Sequence, residues 1–347
     1  MAQTKQKIDL NSISHEELLK VHICDLPLNI KETWIDDCIK ELYKELEAKG
    51  IIFKPKCYLA DEWLTPEGET CIGIPFYLAH PTLMRLERKL MEEIEGGTKG
   101  ECMKLLRHET GHAICYAYKL NKRKEWQNIF GLSTEKYNET YKYQRYSKNY
   151  VRHLEGFYAQ YHPDEDFVET FAVWLTPDSD WQKKYKGWRA SQKLDYVDRL
   201  MSGIKGKKPL CLKARKFWKV STLKITLENY YKKRRCFLAE EFLDFHDAFL
   251  NKIFMAPSLD RAKKAQASVF LEQYRDSLIE TVAEFSREKK YLISDVLTQM
   301  EKRTKELRLE IAQEEIKTIL QIASYMTALM MNYSYTGRLR GKNKRAV

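Results

Sequence analysis

The hydrophobic and polar positions of the chain change period several times, and each change marks an element. In "TWIDDCIKELYKELEAKG" (33–50) apolar residues recur every three or four positions, predicting an amphipathic helix with Thr33 as N-cap and Gly50 as its stop. "IIFKPKCYLA" (51–60) and "TCIGIPFYLA" (70–79) predict two strands joined by the turn-rich "DEWLTPEGE". Pro75 cannot donate to an inner ladder and so places the second strand at a sheet edge. Helical spacing returns in "PTLMRLERKLMEEIEGG" (81–97) and again over roughly residues 99 to 121. A loop-rich, tyrosine-dense segment (122–157) then leads into "YHPDEDFVETFAVWL" (161–175). Beyond "GIKGKKPLCLKARK" (203–216), long helical patterns dominate to about residue 333, as in Leu278, Val282 and Phe285, or Ile316, Leu320 and Ile322. The pattern predicts an α+β fold. Residues 1–30 are an extension, 31–205 a domain with a small antiparallel sheet, and 206–222 a basic linker. An α-helical domain spans 223–335, with a basic tail at 336–347.

Composition narrows the class. With 44% hydrophobic and 31% charged residues, a chain of 347 residues is globular and long enough for two domains. The polar N-terminus lacks the apolar run of a signal peptide, and no stretch reaches the roughly 18 apolar residues of a membrane span. Eight cysteines are scattered without a CxxC pair, which argues against a zinc ribbon or disulfide scaffold and for reduced thiols in a cytoplasm. The net charge of +11 is concentrated: residues 181 to 235 hold 18 Lys or Arg against 3 Asp or Glu.

The chemistry centres on "RHETGHAICYAY" (107–118). On a helix, His108 and His112 project from one face a turn apart, so both imidazoles can reach one ion. Glu109 stands beside them, placed to touch a metal-bound water. Gly111 in mid-helix costs about 1 kcal/mol relative to alanine, which fits a place where another backbone or a substrate comes close. A zinc hydrolase needs a third protein ligand. The metzincin pattern would require Gly at 115 and His at 118; Cys115 and Tyr118 exclude it. "HPDEDFVETF" offers the other solution, a glutamate on a later helix opened by Pro163. Glu165 can be the ligand while Glu169, one turn on, receives the free ring N–H of a ligating histidine. Ala172 continues that face with a small side chain. Acidic residues at a helix start also complement its dipole, and His162 and Asp164 compete as ligands.

The stretch from about 72 to 201 resembles the bacterial zinc-binding metallopeptidase family of the HExxH type. The likeness rests on "GIPFYLAHPTLMRLERKLM", "RHETGHAI", "YAQYHPDEDFVETFAVWLTP" and "YKGWRASQKLDYVDRLM". The spacing of the two glutamates behind HExxH is also similar to the lethal-factor type of gluzincin. That likeness implies a zincin-like fold and a tyrosine seven residues before the ligand glutamate, here Tyr158, facing the reacting oxygen. Tyr161 and His162 are nearby substitutes. The expected chemistry is peptide hydrolysis with Zn2+ held by His108, His112 and Glu165, the pKa of bound water falling from 15.7 to about 7. Glu109 is then the general base and Tyr158 the oxyanion donor.

Other features carry competing readings. The edge of 70–79 could pair an extended peptide or protein substrate as an added strand. Cys115 lies near the ligand face but reads as a packed small residue, Cys102 shows no partner, and His80 precedes Pro81 in a structural role. Tyr137, Tyr141, Tyr143, Tyr146 and Tyr150, interleaved with Lys142, Arg145 and Lys148, form an aromatic loop over the catalytic helix or line a cleft. "KKPLCLKARKFWKV" and "YYKKRR" mix cations with aromatics, as phosphate-backbone binders do, but no nucleic-acid motif accompanies them. A nucleic-acid-binding protein with an accessory zinc site is therefore the weaker rival, with an acidic protein partner slightly ahead of it. A zinc hydrolase of a non-peptide amide is a third reading. No further cofactor and no membrane are implied.

Overall fold

A computed structural model of the protein describes residues 8–137, 143–235, 245–256 and 265–336. Tyr141, Lys142, Cys236 and the basic tail beyond residue 336 lie outside them. The chain divides into two compact units, Met1–Glu87 with Ile94–Tyr230, and Arg88–Glu93 with Tyr231–Val347.

In the first unit the helix Trp34–Ala48 follows Thr33 and buries Ile35, Cys38, Ile39, Leu42 and Leu46, the stripe that helical spacing predicts. Gly50 adopts φ +74° just past its end, a conformation glycine enters without strain. The helix Pro81–Met91 is shorter than expected; Glu92 (φ 62°) and Gly96 (φ 74°) turn the chain before 97. The motif helix, Lys99–Ala117, starts at a capping box in which Thr98 Oγ1 accepts from the Glu101 N–H and Glu101 Oε2 accepts from the Thr98 N–H. It ends earlier than residue 121, because Lys119 turns left-handed (φ 51°) into a 3-10 turn at Leu120–Lys122.

The sheet corrects the expectation. β1 (Lys56–Ala60) and β2 (Cys71–Pro75) pair in parallel, with Lys56 opposite Cys71 and Ala60 opposite Pro75, and not as an antiparallel hairpin. The intervening segment crosses over and brings Leu64 against the other edge of β2. There the Gly73 N–H donates to the Leu64 carbonyl (2.8 Å) and the Leu64 N–H to the Gly73 carbonyl (3.3 Å). A Cβ at Gly73 would sit 2.4 Å from the Leu64 side chain, so the crossover needs glycine there. β2 is buried along its whole length, and Phe76–Ala79 leaves the strand as a 3-10 turn. The edge that the sequence offers to a substrate is therefore occupied at Gly73 by the chain itself.

Residues 206–222, read as a linker, run along the first unit. The N–H groups of Leu210 and Cys211 both reach the Ala117 carbonyl at the end of the motif helix, the Thr70 N–H donates to the Lys213 carbonyl, and Tyr58 Oη bonds the Phe217 backbone. In the second unit, helices including Arg275–Ser286, Lys290–Glu306 and Glu315–Thr336 share a core of Leu278, Val282, Val296, Met300, Ile322 and Met326. The two-residue strands β3 (Phe254–Met255) and β4 (Glu310–Ile311) pair antiparallel beside it. Phe285, Ile316 and Leu320 share the predicted spacing but are exposed, so the apolar pattern overstates this core.

Candidate metal centre

Two helices build the site. His108 and His112 lie on the motif helix; Glu165 and Glu169 lie on the helix Pro163–Leu175, which has Pro163 in its first turn and His162 as N-cap. The helices meet where Gly111 faces Val168 and Phe171: a Cβ there would stand 3.0 Å from Val168 Cγ1 and 3.1 Å from both Val168 Cα and Phe171 Cδ1. The backbone approach anticipated from Gly111 is thus that of the partner helix, and the fully buried Ala172 keeps the same face narrow.

Within this seam His108, His112 and Glu165 come together, with one potential ligand atom from each lying within 4.8 Å of the others. Glu165 Oε2 is 3.2 Å from His108 Nε2 and 3.4 Å from His112 Nε2. The other nitrogen of His108, Nδ1, lies 2.7 Å from Glu169 Oε1, and Glu169 Oε2 accepts the Leu154 N–H at 2.8 Å. A carboxylate at Nδ1 holds the ring proton there, so Nε2 turns a lone pair toward Glu165. Two imidazole nitrogens around a buried carboxylate oxygen that has no hydrogen-bond partner make a set that a divalent cation would satisfy. The residues fit zinc.

The electrostatics agree in sign. Burial by itself would lower the His108 imidazole, yet Glu165 and Glu169 outweigh it and push it up to about 10. His112 is also raised, against burial, by Glu165. Burial opposes ionisation of Glu165, but the two histidines hold its carboxyl well below the usual range. The pocket calls for positive charge, whether carried by protons or by a metal.

A cavity of about 450 Å³ opens over the cluster. Glu109 lines it with Oε2 buried and without a hydrogen-bond partner, while its backbone carbonyl accepts from Thr65 Oγ1 at 3.1 Å. Tyr158 lines it too, its ring 5.6 Å from that of His108. Left-handed Gly156 (φ 75°) and Phe157 (φ 58°) turn the chain just before Tyr158. Burial, then Glu165 and Glu109, push the Tyr158 hydroxyl up, so it stays a proton donor at neutral pH. Tyr161 and His162 are not among the lining residues. His162 is occupied: its Nε2 faces the Glu135 carbonyl at 2.9 Å and its Nδ1 accepts the Asp164 N–H at 3.1 Å. Cys115 is buried outside the cluster. His80 Nδ1 accepts the Thr82 N–H, a structural role. Cys102, for which the sequence shows no partner, interacts with the buried Cys38.

Tyr137, named from the sequence for an aromatic loop or a cleft, lines the cavity, but spacing gave no sign of its partner. Its hydroxyl donates to Glu165 Oε1 at 2.9 Å, opposite the oxygen that faces the histidines, and its ring stacks on His162 at 3.8 Å. The two residues are 28 positions apart across a loop, and a loop tyrosine has no periodicity to mark it.

Residues 85–187, less than a third of the chain, match the profile of a family described as "Putative zinc-binding metallo-peptidase". No curated protein and no solved structure matches the chain. The matched segment holds both helices of the His–His–Glu cluster in an α+β setting, and over that segment the chain is similar to the zinc-binding metallo-peptidases that the profile describes.

Proposed function

We propose that the protein is a zinc-dependent peptidase in which Zn2+ is held by His108, His112 and Glu165. The observation that carries this reading is the convergence of both histidine Nε2 atoms on Glu165 Oε2, beneath a cavity that Glu109 also lines. When bound, the ion would supply Lewis acidity at the carbonyl and ease deprotonation of water near neutral pH.

The chain's own groups do the rest. Glu109 takes the proton of the attacking water and passes it to the departing amine, which suits a carboxylate whose Oε2 has no hydrogen-bond partner among the described residues. The Tyr158 hydroxyl donates to the carbonyl oxygen as negative charge builds there, a contact worth about 3 kcal/mol in comparable sites. Glu169 fixes the tautomer of His108, and Tyr137 holds the outer oxygen of Glu165. Peptide or protein is the substrate class of this reading, ahead of a non-peptide amide.

Metal analysis of the purified protein, joined to a peptide-library cleavage screen, tests it. One zinc per chain is expected. Glu109→Gln should keep the metal and lose hydrolysis, whereas Glu165→Gln should lose tight binding. A Glu165→Gln protein with full zinc would show that another residue completes the site.

A further inference from the structure

The cavity over the cluster opposes the charge of the chain that forms it. The whole sequence carries +11, yet among the described residues that line the cavity the acidic ones are Glu67, Glu109, Glu135, Asp164 and Glu165, and none is a lysine or arginine. Glu109 and Glu165 have roles in the reading above, and Glu135 Oε1 accepts the Leu132 N–H at 3.3 Å. Asp164 is different. It is 8% exposed, and its Oδ1 is enclosed without a hydrogen-bond partner among the described residues. Its Oδ2 lies 3.9 Å from His162 Nδ1, but that nitrogen already accepts the Asp164 N–H while Nε2 meets a carbonyl. The ring therefore turns a lone pair, not a proton, toward the carboxylate. Asp164 is also outside the metal-ligand group. Only the imidazoles of His112 and His162 offset the burial of this carboxylate. An enclosed carboxylate oxygen without a donor is costly to keep, and a cation brought by a ligand would relieve it.

The walls suit such a ligand. Tyr116, Tyr137 and Tyr158 line the same cavity. Tyr116 stacks on His112 (6.3 Å, 21°) and Tyr137 on His162 (3.8 Å, 13°), so these two rings are held in place. Ring faces attract ammonium and guanidinium groups. Glu67 and Glu135, both exposed, add a field that draws cations toward the opening.

We propose that Asp164 is the specificity-determining residue of this cleft and receives a cationic group of the substrate. That group is either a lysine or arginine side chain or the N-terminal ammonium of a peptide. The proposal rests on the peptidase reading, and its test separates the two.

Zinc-loaded protein is incubated with a mixture of defined peptides, each present with a free and with an acetylated N-terminus, and cuts are mapped by mass spectrometry. Cuts grouped around Lys or Arg in acetylated peptides identify the side chain as the cation. Cuts confined to free N-termini identify the ammonium. In Asp164→Asn, matched for zinc content, the preference in kcat/KM for the best cationic peptide over its neutral counterpart should fall about 10- to 100-fold, as for a lost charge-assisted contact. Asp164→Glu should retain part of it. Equal cleavage of cationic and neutral peptides by the unaltered protein, or a preference that survives Asp164→Asn, would overturn the proposal. A second measurement needs no turnover: calorimetric titration of a blocked arginine tetrapeptide and its glutamine counterpart into Glu109→Gln, with and without Asp164→Asn. Selective, salt-sensitive binding of the arginine peptide that Asp164→Asn abolishes supports the site even if no peptide is cut, in which case the peptidase reading alone fails. Equal binding of the two peptides overturns the cation site even if cleavage is found.

Discussion

His108 has a carboxylate at each ring nitrogen, and the difference between the two contacts decides what each does. The shorter one, to Glu169, is anchored from behind by the Leu154 N–H, which holds Glu169 at Nδ1 and away from the His–His–Glu cluster. Replacing Glu169 by alanine should therefore keep zinc stoichiometry at saturation but weaken affinity about 10- to 100-fold, read by competition with a chelator. Tyr137→Phe removes only the hydroxyl on Glu165 Oε1. Its expected effect is smaller, about a 3- to 10-fold rise in the zinc dissociation constant, in line with the loss of one charge-assisted hydrogen bond near the surface. Unaltered zinc affinity in Tyr137→Phe would show that Glu165 holds its position without that bond.

At the scale of elements, the site depends on how closely two helices approach. Alanine at position 111 would gain about 1 kcal/mol of helix propensity in an exposed helix. Here its Cβ meets Val168 Cα, which is backbone and cannot rotate away. Gly111→Ala should therefore lower stability by about 1–3 kcal/mol, as overpacked cores do. Denaturant unfolding checks the sign, and a stabilised variant would mean that the seam is looser than described. The motif helix is tied on another side by Arg107, whose guanidinium donates to both oxygens of the buried Glu45 at 2.8 and 2.6 Å. That fork fixes the helix against Trp34–Ala48, and with it the direction in which the two histidines project.

Over the whole molecule, the basic stretch of the sequence does not form one element. Lys193 is buried and paired with Asp166, Arg199 reaches Glu125, Lys216 lies over the Tyr58 ring, and Arg235 pairs with Asp295. Part of the charge that suggests a nucleic-acid surface is thus engaged with other side chains, inside the fold at Lys193 and on the surface at Arg199. Within the second unit, His246 is buried with Nδ1 3.0 Å from the Tyr325 hydroxyl, and burial lowers its imidazole from the usual 6.5 to about 4. The unfolded chain then takes up the proton first. Stability from this group is complete above pH 6.5 and is lost as pH falls from 6.5 toward 4, by up to about 3 kcal/mol. All seven tryptophans fall within 34–218, in the first unit, so circular dichroism should record this loss while tryptophan fluorescence follows the first unit. In His246→Gln the pH slope should disappear. A slope that persists would place its origin in other groups.

The sequence by itself determined the local facts. Two histidines four apart on a helix share a face, and two glutamates four apart on a proline-started helix share another, because helical periodicity is a property of the backbone. The capping chemistry at Thr98 and the buried stripe of Trp34–Ala48 were legible for the same reason. Tertiary structure alone decided what depends on distant partners. Parallel pairing of β1 and β2 follows from the path of the crossover and from Leu64 on Gly73, and strand propensity is the same for either direction. The strap at 206–222 reads as a linker because its bonds are made by backbone groups, which leave no mark in composition. The exposure of Ile316 and Leu320 depends on how helices pack, and helical spacing cannot say which side faces the core. Tyr137 as a loop or cleft residue and Asp164 as a competing ligand could be named from the sequence, but the bond of Tyr137 to Glu165 and the place of Asp164 in the cavity wall could not, since each depends on partners distant in the chain.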